Sequence, residues 1–529
     1  MSLKNQISYP SLRWMMIAFF VISYGSANVK PRLGASPWTN SNISQRGKSS
    51  LALVDGMKTF YYTQTLDHFN YRPDSHLTFQ QRYVINSRYW GGVNTSSPIF
   101  VHLGAENSVE DDFDTILIDW APQFNALIVF IEHRYYGKSM PFGSRKEAFS
   151  NTTTLGYFNA AQALADYAEV IVNLKKNFSA QDCPIIVVGE SYGGMLAAWF
   201  RLKYPHIAFG ALASSAPIYM TARKTLEDPY YTIVSKVFQE ASQSCHDTIR
   251  DSWQVIDKFA SQKDGLSHLA KIFKTCKPLD SSSDLKHYLA SLYCEAAQYN
   301  RPPEYLVTEI CNAIDNDPTG VDIPTRIHAG VVAYKGEKSC YDINEFNLPT
   351  DTNVGWDWQT CTDLIDPSSG NINNTMLDTW SYDLHDITVY CQDTYGITLI
   401  PRPHWIETEF GGYDMKQALQ NFGSNIIFSN GLKDPWSATG VLESISNTVV
   451  AIHTAKGSHC LDTLAATYSD PDWLIDQRNS EVGVMKKWVT EYYSIHGIKN
   501  ISRSNHKQGC ASTFARFLLI CFVVVLCWL

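Results

Sequence analysis

The sequence predicts an α/β fold in which a parallel sheet, covered by helices on both faces, is interrupted by a long helical segment. Two regions contain apolar runs of strand length that alternate with helical patterns, and the region between them is helical, polar and rich in cysteine. Hydrophobic residues make up 45% of the 529 residues and charged residues 18%, which is enough apolar material for a large buried core. Continuous apolar strands that alternate with helices are typical of a parallel sheet buried on both faces.

The first strand-and-helix region spans residues 55–220. Four short apolar runs predict buried strands, and two stretches with apolar residues at helical spacing predict helices. The predicted strands are 98–103, 127–131, 184–188 and 209–213, and the predicted helices are 157–178 and 193–203.

Residues 221–410 predict a helical domain inserted between two halves of one α/β domain, because no clear strand alternation occurs there. Strand patterns return in the second half, residues 411–500, at 425–429 and 449–452, and a final helix fits 481–493. Seven of the twelve cysteines lie in the insertion without the tight paired spacing of a zinc site, which in a secreted chain indicates disulfides and leaves at least one unpaired. They are Cys245, Cys276, Cys294, Cys311, Cys340, Cys361 and Cys391.

The run Gly189-Glu190-Ser191-Tyr192-Gly193 follows the predicted strand 184–188 at once and opens the predicted helix 193–203. A Gly-x-Ser-x-Gly run in that setting is the nucleophile elbow of the α/β-hydrolase fold. The glycines allow a tight, strained turn that exposes the serine hydroxyl at the N-terminus of a helix, where developing negative charge is favoured. Ser191 is therefore the predicted nucleophile, and the chain is predicted to be a serine hydrolase.

A serine hydroxyl needs a base and a group that orients the base, and in this fold the chain order is serine, acid, histidine. Asp434 follows the strand 425–429 and is the predicted acid. His459 follows the strand 449–452 and is the predicted base. His453 is the rival histidine, but it continues the strand and is expected to be packed.

The oxyanion hole of this fold uses two backbone N–H groups, one from the residue after the nucleophile and one from the loop after an early strand. Tyr192 is the first predicted donor. The loop after strand 98–103 begins Gly104-Ala105-Glu106, and Ala105 is the second predicted donor.

Four further segments make the chain resemble the family of serine peptidases that contains lysosomal Pro-X carboxypeptidase and dipeptidyl-peptidase II. The resemblance covers about residues 60–493 and implies the catalytic residues Ser191, Asp434 and His459, a helical, disulfide-bearing cap domain over the site, and cleavage after a proline near a chain end at acid pH. The segments are Glu132–Gly137, Ser191–Trp199, Ala213–Pro217 and Asn430–Trp436.

Two activities and two other classes of function stay open at this point. The run Pro401–Ile406 favours a carboxypeptidase over the aminodipeptidase alternative. A lipase or esterase on the same fold would predict an open, more apolar lid. A non-enzymatic binding protein would be expected to have lost a catalytic residue, and none is lost.

The resemblance also implies residues around the catalytic centre. Met195 and Trp436 would line a proline pocket, with core packing as the alternative for both, and Glu106 is a further candidate substrate-binding residue. Asn107, Glu190 and Cys460 depart from the family pattern, as does Ala105. The implied disulfides are Cys245–Cys311, Cys276–Cys340 and Cys361–Cys391, which leaves Cys183, Cys294 and Cys460 unpaired before the tail.

The two ends of the chain predict a secretory route. Residues 1–27 read as a signal peptide, since the apolar run Trp14–Ile22 is short for a bilayer span and small residues follow it. The hydrophobic tail 501–529 is ambiguous between an unprocessed tail and a lipid-anchor signal. Lysosome, vacuole and the extracellular space are the expected locations, and six Asn-x-Ser/Thr sites are candidate glycosylation sites: Asn42, Asn94, Asn151, Asn177, Asn373 and Asn500.

The charge and composition of the chain limit the classes of binding partner that are expected. The formal net charge is −9 and no stripe of lysine and arginine is present, so nucleic acid is excluded as an expected partner. The expected partner is a peptide substrate, with a homodimer left open and the membrane involved only through the tail or a lipid anchor. No cofactor or metal is expected.

Overall fold

The protein was analysed as a computed structural model that describes residues 56–222, 228–316, 322–396, 399–411 and 414–498. The predicted signal peptide, the hydrophobic tail and the sites Asn42 and Asn500 lie outside the described residues. The four other candidate glycosylation sites, Asn94, Asn151, Asn177 and Asn373, have exposed side chains.

Eight strands form one mixed sheet in the order β1-β2-β4-β3-β5-β6-β9-β10. β1 and β2 form an antiparallel hairpin and β2 is antiparallel to β4, whereas the other neighbouring strands are parallel. The strands are β1 Met57–Thr65, β2 Thr78–Asn86, β3 Ile99–Leu103, β4 Leu127–Ile131, β5 Ile185–Glu190, β6 Gly210–Ser214, β9 Ile426–Gly431 and β10 Val449–Thr454.

The sheet is parallel as predicted except at one edge, where the sequence analysis did not predict the antiparallel strands β1 and β2. The sequence signal for the hairpin was weak because β1 is the outermost strand and most of its side chains are exposed, so it lacks the continuous apolar run of a strand buried on both faces. The central strands show that run: all residues of β3 and β4 are buried.

Helices cover both faces of the sheet. α1 and α16 pack on one face, and α4 and α5 pack on the other. Strand residues alternate between the two cores, with Val101 on the α4 side and Phe100 on the α1 side. These helices are α1 Leu117–Phe124, α4 Ala160–Phe178, α5 Tyr192–Lys203 and α16 Asp472–Ile495, and two short helices, α2 Arg145–Ala148 and α3 Thr152–Leu155, precede α4.

The segment between β6 and β9 is mostly helical, and its apolar residues are continuous with the core on the α4 side. It also contains a hairpin of β7 Ser368–Gly370 and β8 Trp380–Tyr382, which was not predicted because three-residue strands are too short to show a period. The helices are α6 Pro229–Ala241, α7 Gln243–Ala260, α8 Gly265–Ile272, α9 Ser282–Gln298, α10 Leu306–Asn316, α11 Ile323–Lys335, α12 Asp351–Thr362, α13 Leu384–Tyr395, α14 Trp405–Phe410 and α15 Met415–Phe422.

All three disulfides lie in this helical segment and join the predicted pairs. Cys245–Cys311 links α7 to α10, and Cys361–Cys391 links α12 to α13. Cys276–Cys340 joins the segments that follow α8 and α11. Cys183, Cys294 and Cys460 are the free cysteines of the described residues.

The last helix begins nine residues before the predicted start at 481. Its first turns, Asp472–Ser480, are rich in polar residues and carry too few apolar positions to show a helical repeat. In the part of the chain that the structure describes, no helix is both long enough and apolar enough to cross a bilayer.

Candidate active site

Ser191 lies at the sharp turn between β5 and α5, at the carboxyl edge of the sheet. Its backbone has φ 58° and ψ −124°, a left-handed conformation that is strained for a residue with a side chain. The turn needs glycine because a Cβ atom at Gly189 would lie 2.1 Å from the carbonyl oxygen of Gly193. The Ser191 N–H donates to the Ser214 carbonyl, which ties the turn to β6.

Three side chains from three separate loops meet at this turn. The Ser191 Oγ atom lies 3.0 Å from His459 Nε2, and His459 Nδ1 lies 2.8 Å from Asp434 Oδ2. All three residues are at most 5% exposed. This is the hydrogen-bonded chain of nucleophile, base and orienting acid that acyl transfer requires.

The loops that present the acid and the histidine are held from several sides. Asp434 caps a short 3₁₀ helix, and its second oxygen accepts the Trp436 N–H at 3.0 Å. The His459 N–H donates to the Gln298 carbonyl at the end of α9, so the helical segment contacts the histidine loop directly. The Arg478 guanidinium of α16 donates to the carbonyls of the next loop residues, Leu461, Asp462 and Leu464.

The rival histidine does not enter the site. His453 lies in β10, as expected, but its side chain is exposed and not packed as the sequence suggested. The reason is that β10 is an edge strand whose residues are mostly only partly covered.

The loop after β3 packs against the first turn of α5. A methyl group added at Gly193 would lie 3.0 Å from the Leu103 carbonyl oxygen and 3.5 Å from the Ala105 Cβ atom. Tyr192 is the first residue of α5, where N–H groups have no partner within the helix. The assignment of the Tyr192 and Ala105 N–H groups as oxyanion donors stays a prediction.

Comparison with known proteins agrees with this architecture. Residues 64–481 match the family described as Serine carboxypeptidase S28. The chain belongs to this family. It is 33% identical over 500 residues to "Lysosomal Pro-X carboxypeptidase" of Mus musculus, covering 91% of this chain and 99% of that protein, and 30% identical over 501 residues to the Homo sapiens protein of the same name, covering 91% and 98%.

Solved structures show more distant likeness. A peroxisomal α/β-hydrolase of Saccharomyces cerevisiae is 11% identical, with a TM-score of 0.35 over 82% of this chain and 90% of that chain. The S28 family membership makes the protein a serine-type peptidase. Its mainly parallel sheet and the strand–Ser191–helix turn are those of an α/β-hydrolase fold.

Aromatic residues lie beside Asp434 and His459 in this S28 peptidase. Trp436 is 4% exposed; its indole N–H donates to Gln298 Oε1 at 3.1 Å, and its ring meets Tyr230 edge-to-face at 4.8 Å. Tyr299 meets His459 edge-to-face at 6.2 Å. Met195 is fully buried in the main apolar core, which favours its packing alternative, and its role in a pocket stays a prediction.

Sequence analysis missed the residues that the helical segment contributes. Gln359 of α12 accepts from the Tyr136 hydroxyl at 2.6 Å and donates to the Tyr192 hydroxyl at 2.9 Å. Trp356 of the same helix meets the Tyr192 ring edge-to-face at 5.8 Å. These residues lie in no motif, and the sequence gives no sign that α12 reaches the nucleophile turn.

Glu190, the residue before Ser191, is paired with a buried histidine. His102 Nε2 lies 2.9 Å from a Glu190 oxygen, and His102 Nδ1 lies 3.5 Å from Asp112 Oδ2. Burial alone would lower the pKa of His102, but the charges of Glu190 and Asp112 raise it to about 9.

The same three residues are a candidate cation site, since their ligand atoms lie within 4.8 Å of one another. Each ring nitrogen of His102 faces a different carboxylate, however, which fits a protonated imidazolium between Glu190 and Asp112 better than a metal ion bound by one nitrogen. We therefore describe this group as an ion pair.

Glu106 is the second unusual carboxyl group at the site. It is 2% exposed, and neither of its oxygens has a hydrogen-bond partner elsewhere in the described chain. Burial raises the pKa of its carboxyl group to about 7, against the lowering effects of its own backbone N–H and the charge of His459.

A cavity of about 280 Å³ lies at the start of α4. Its lining includes Phe158, Trp358 and Asp363, and none of the three predicted catalytic residues. Burial raises the pKa of Asp363 to about 7, although its Oδ2 atom accepts the Ala160 N–H at 2.7 Å.

Proposed function

We propose that this peptidase cleaves the bond after a proline and releases the C-terminal residue of a peptide, with Ser191 as the nucleophile. The observation that carries the proposal is the chain of contacts from Ser191 through His459 to Asp434, buried where the helical segment meets the sheet. The similarity to proteins named Pro-X carboxypeptidase, which covers nearly the whole length of those proteins, supports the choice of substrate.

The geometry supports the usual steps of acyl transfer. His459 takes the Ser191 proton at Nε2 as the hydroxyl oxygen attacks the carbonyl carbon after proline. Asp434 accepts the Nδ1–H bond, which keeps the ring in the productive tautomer and stabilises the imidazolium. The N–H groups of Tyr192 and Ala105 receive the oxyanion, His459 then protonates the leaving amine, and water releases the acyl group by the same route.

Proline selection is assigned to Trp436 and the aromatic rings around it. A rigid, apolar ring loses little entropy when it binds, so a small aromatic pocket gains affinity without many polar contacts. Trp436 follows Asp434 by two residues and contacts Tyr230 and Gln298 of the helical segment, which places it between the catalytic loop and the cap.

One observation favours the aminodipeptidase as the second candidate. The Glu106 carboxylate lacks a partner, and a free peptide amine is the kind of group that such a carboxylate binds. A carboxypeptidase must instead tolerate the substrate's own carboxylate nearby, which requires a neutral Glu106.

The deciding experiment compares two peptides, one with proline before the C-terminal residue and one with proline second from the N-terminus. We expect release of the C-terminal residue from the first and no dipeptide from the second. Ser191→Ala should lower kcat by roughly 10⁴-fold or more while the far-UV spectrum and Tm stay unchanged. Dipeptide release as the main reaction would replace the carboxypeptidase with the second candidate, and normal turnover by a folded Ser191→Ala protein would contradict both.

The location follows from the same reasoning. Three disulfides and four exposed glycosylation sites fit the oxidising secretory route, and relatives with lysosomal names fit an acid compartment. The proposed location is the lysosome, the vacuole or the extracellular space. A lipid anchor and a homodimer are proposed together with it.

A further inference from the structure

Three carboxyl groups lie close to the nucleophile turn, and two of them have partners. Asp434 contacts His459, and Glu190 contacts His102. Glu106 is the third, with both oxygens buried and without a hydrogen-bond partner elsewhere in the described chain. An unpaired carboxylate is costly in such a place, whereas a protonated carboxyl group is tolerated much better.

The position of Glu106 connects it to the reaction. It directly follows Ala105, whose Cβ atom packs against the first turn of α5 beside Ser191. During acyl transfer, a negative charge develops on the oxygen that this loop faces. A second negative charge on Glu106, in a buried region of low dielectric, would oppose that development.

We propose that Glu106 acts as an electrostatic control residue in which only the protonated carboxyl group permits catalysis, and that its ionisation switches the peptidase off. The residue acts through the field at the oxyanion and makes no bond to the reacting atoms. The inference rests on Ser191 as nucleophile and on the proposed release of the C-terminal residue, because an aminodipeptidase would instead bind the substrate amine with an ionised Glu106.

The surroundings of Glu106 set the direction of the pH effect. The titratable groups that face it are Tyr136 after β4, Glu190 at the end of β5, Tyr192 of α5, Tyr299 after α9 and His459 after β10. Among these five, His459 can carry positive charge, and it must be neutral in its role as base. The neutral form of Glu106 therefore prevails below about pH 7 and is lost as the pH rises through that value.

The experiment measures kcat/KM from pH 4 to pH 9 for the wild type, Glu106→Gln and Asp363→Asn. The wild type should lose about tenfold in kcat/KM for each pH unit above its upper midpoint near pH 7. Glu106→Gln cannot ionise and should stay within about twofold of its own maximum at pH 8. Asp363→Asn is the matched control, because Asp363 is also a buried acid with its pKa raised to about 7 but lines a cavity that contains none of Ser191, Asp434 and His459. It should keep the wild-type profile.

The same three proteins are then inactivated with a fluorophosphonate, which needs Ser191 and the oxyanion site but no peptide selection. The wild-type rate of inactivation should fall above about pH 7, and Glu106→Gln should remove that fall. Failure of peptide cleavage with this pattern intact would remove the proposed function and keep the control of Ser191 by Glu106, which the inactivation rate measures directly. A Glu106→Gln protein that keeps the wild-type upper limb in both assays, or an Asp363→Asn protein that loses it, would overturn the inference.

Should Glu106→Gln fail to fold, Glu106→Asp and the wild type still test the proposal. Both proteins retain a carboxyl group at this position, so kcat/KM should fall at high pH in both. The midpoint of that fall should differ between them, because the aspartate side chain is one methylene shorter. Identical midpoints in the two proteins would assign the limb to another group and overturn the proposal.

Discussion

At the scale of single residues, the main feature is the left-handed backbone of Ser191, the predicted nucleophile. A side chain at φ 58° is unfavourable, yet the N–H bond to Ser214 and the close approach of Gly189 to Gly193 hold it there. This conformation places the Ser191 hydroxyl above the edge of the sheet, where it contacts His459. The negative charge of the preceding residue, Glu190, is compensated by His102.

Trp436 gives a prediction at the residue scale. Trp436→Ala should weaken the preference for proline over alanine before the cleaved bond by ~1–3 kcal/mol, the usual range for apolar contacts in a pocket. The measurement is the ratio of kcat/KM values for two peptides that differ only at that position. Trp253→Phe is the control, since Trp253 is a buried tryptophan of α7 whose indole N–H donates to the Met376 carbonyl.

The control variant should lose stability and keep the proline-to-alanine ratio. An unchanged ratio in Trp436→Ala would instead place Trp436 in the core, as the packing alternative holds.

At the scale of elements, α12 links the helical segment to the catalytic turn. Its Gln359 holds the hydroxyls of Tyr136 and Tyr192, and its Trp358 donates to the Phe158 carbonyl of the core at 3.0 Å. The disulfide Cys361–Cys391 fastens the end of this helix to α13. Cys276–Cys340 instead joins segments beside Thr275 and Tyr341, which form an isolated bridge.

The two disulfides should therefore behave differently. Replacing Cys361 and Cys391 together with alanine should lower kcat/KM on the order of tenfold, because α12 then positions Gln359 less firmly. Replacing Cys276 and Cys340 together should lower stability by about 2–5 kcal/mol and leave kcat/KM near the wild-type value. Peptide kinetics and urea unfolding of the two double variants test this; equal kinetic losses would contradict a special role of α12.

At the scale of the whole molecule, buried titratable groups predict greater stability in mild acid than in alkali. Burial raises the pKa of Glu106 and of Asp363 to about 7, so each stabilises the folded state most at low pH and loses that contribution as the pH rises toward 7. The pKa of His102, raised to about 9, adds stability that is lost between about 6.5 and 9. His133 opposes them at lower pH, because burial lowers its pKa to about 4 and stability is lost as the pH falls from about 6.5 toward 4.

The expected outcome is a Tm that falls from pH 5 to about pH 7, because Glu106 and Asp363 together outweigh His133 there, and that falls further toward pH 9 as the contribution of His102 is lost. The total fall should be about 5 °C or more, since each displaced pKa unit corresponds to ~1.4 kcal/mol. Thermal unfolding across this range measures it. Asp363→Asn should reduce the part of the fall that lies below about pH 7 while leaving the pH profile of activity unchanged, which separates stability from catalysis. A Tm that stays level or rises above pH 6.5 would contradict the prediction.

The α/β-hydrolase fold, the buried strands and the candidates Ser191, Asp434 and His459 could all be predicted from the sequence. This was possible because parallel strands buried on both faces are continuous apolar runs, and because the glycines of the nucleophile turn and the order of the loops leave a local mark. The three disulfide pairs were implied by the family resemblance, and the structure contains the same three pairs.

The surroundings of these three residues could not be predicted from the sequence and are visible only in the folded protein. Several of its features depend on contacts between separate segments of the chain. They are the antiparallel pairing of β1 with β2, the hydrogen bonds of Gln359 to Tyr192 and of Gln298 to His459, and the pairing of Glu190 with His102. Whether Glu106 is charged depends on its burial and on the lack of a partner elsewhere in the described chain. Such properties arise from packing in three dimensions, because desolvation and charge at a side chain depend on its neighbours in space and leave no period or motif along the sequence.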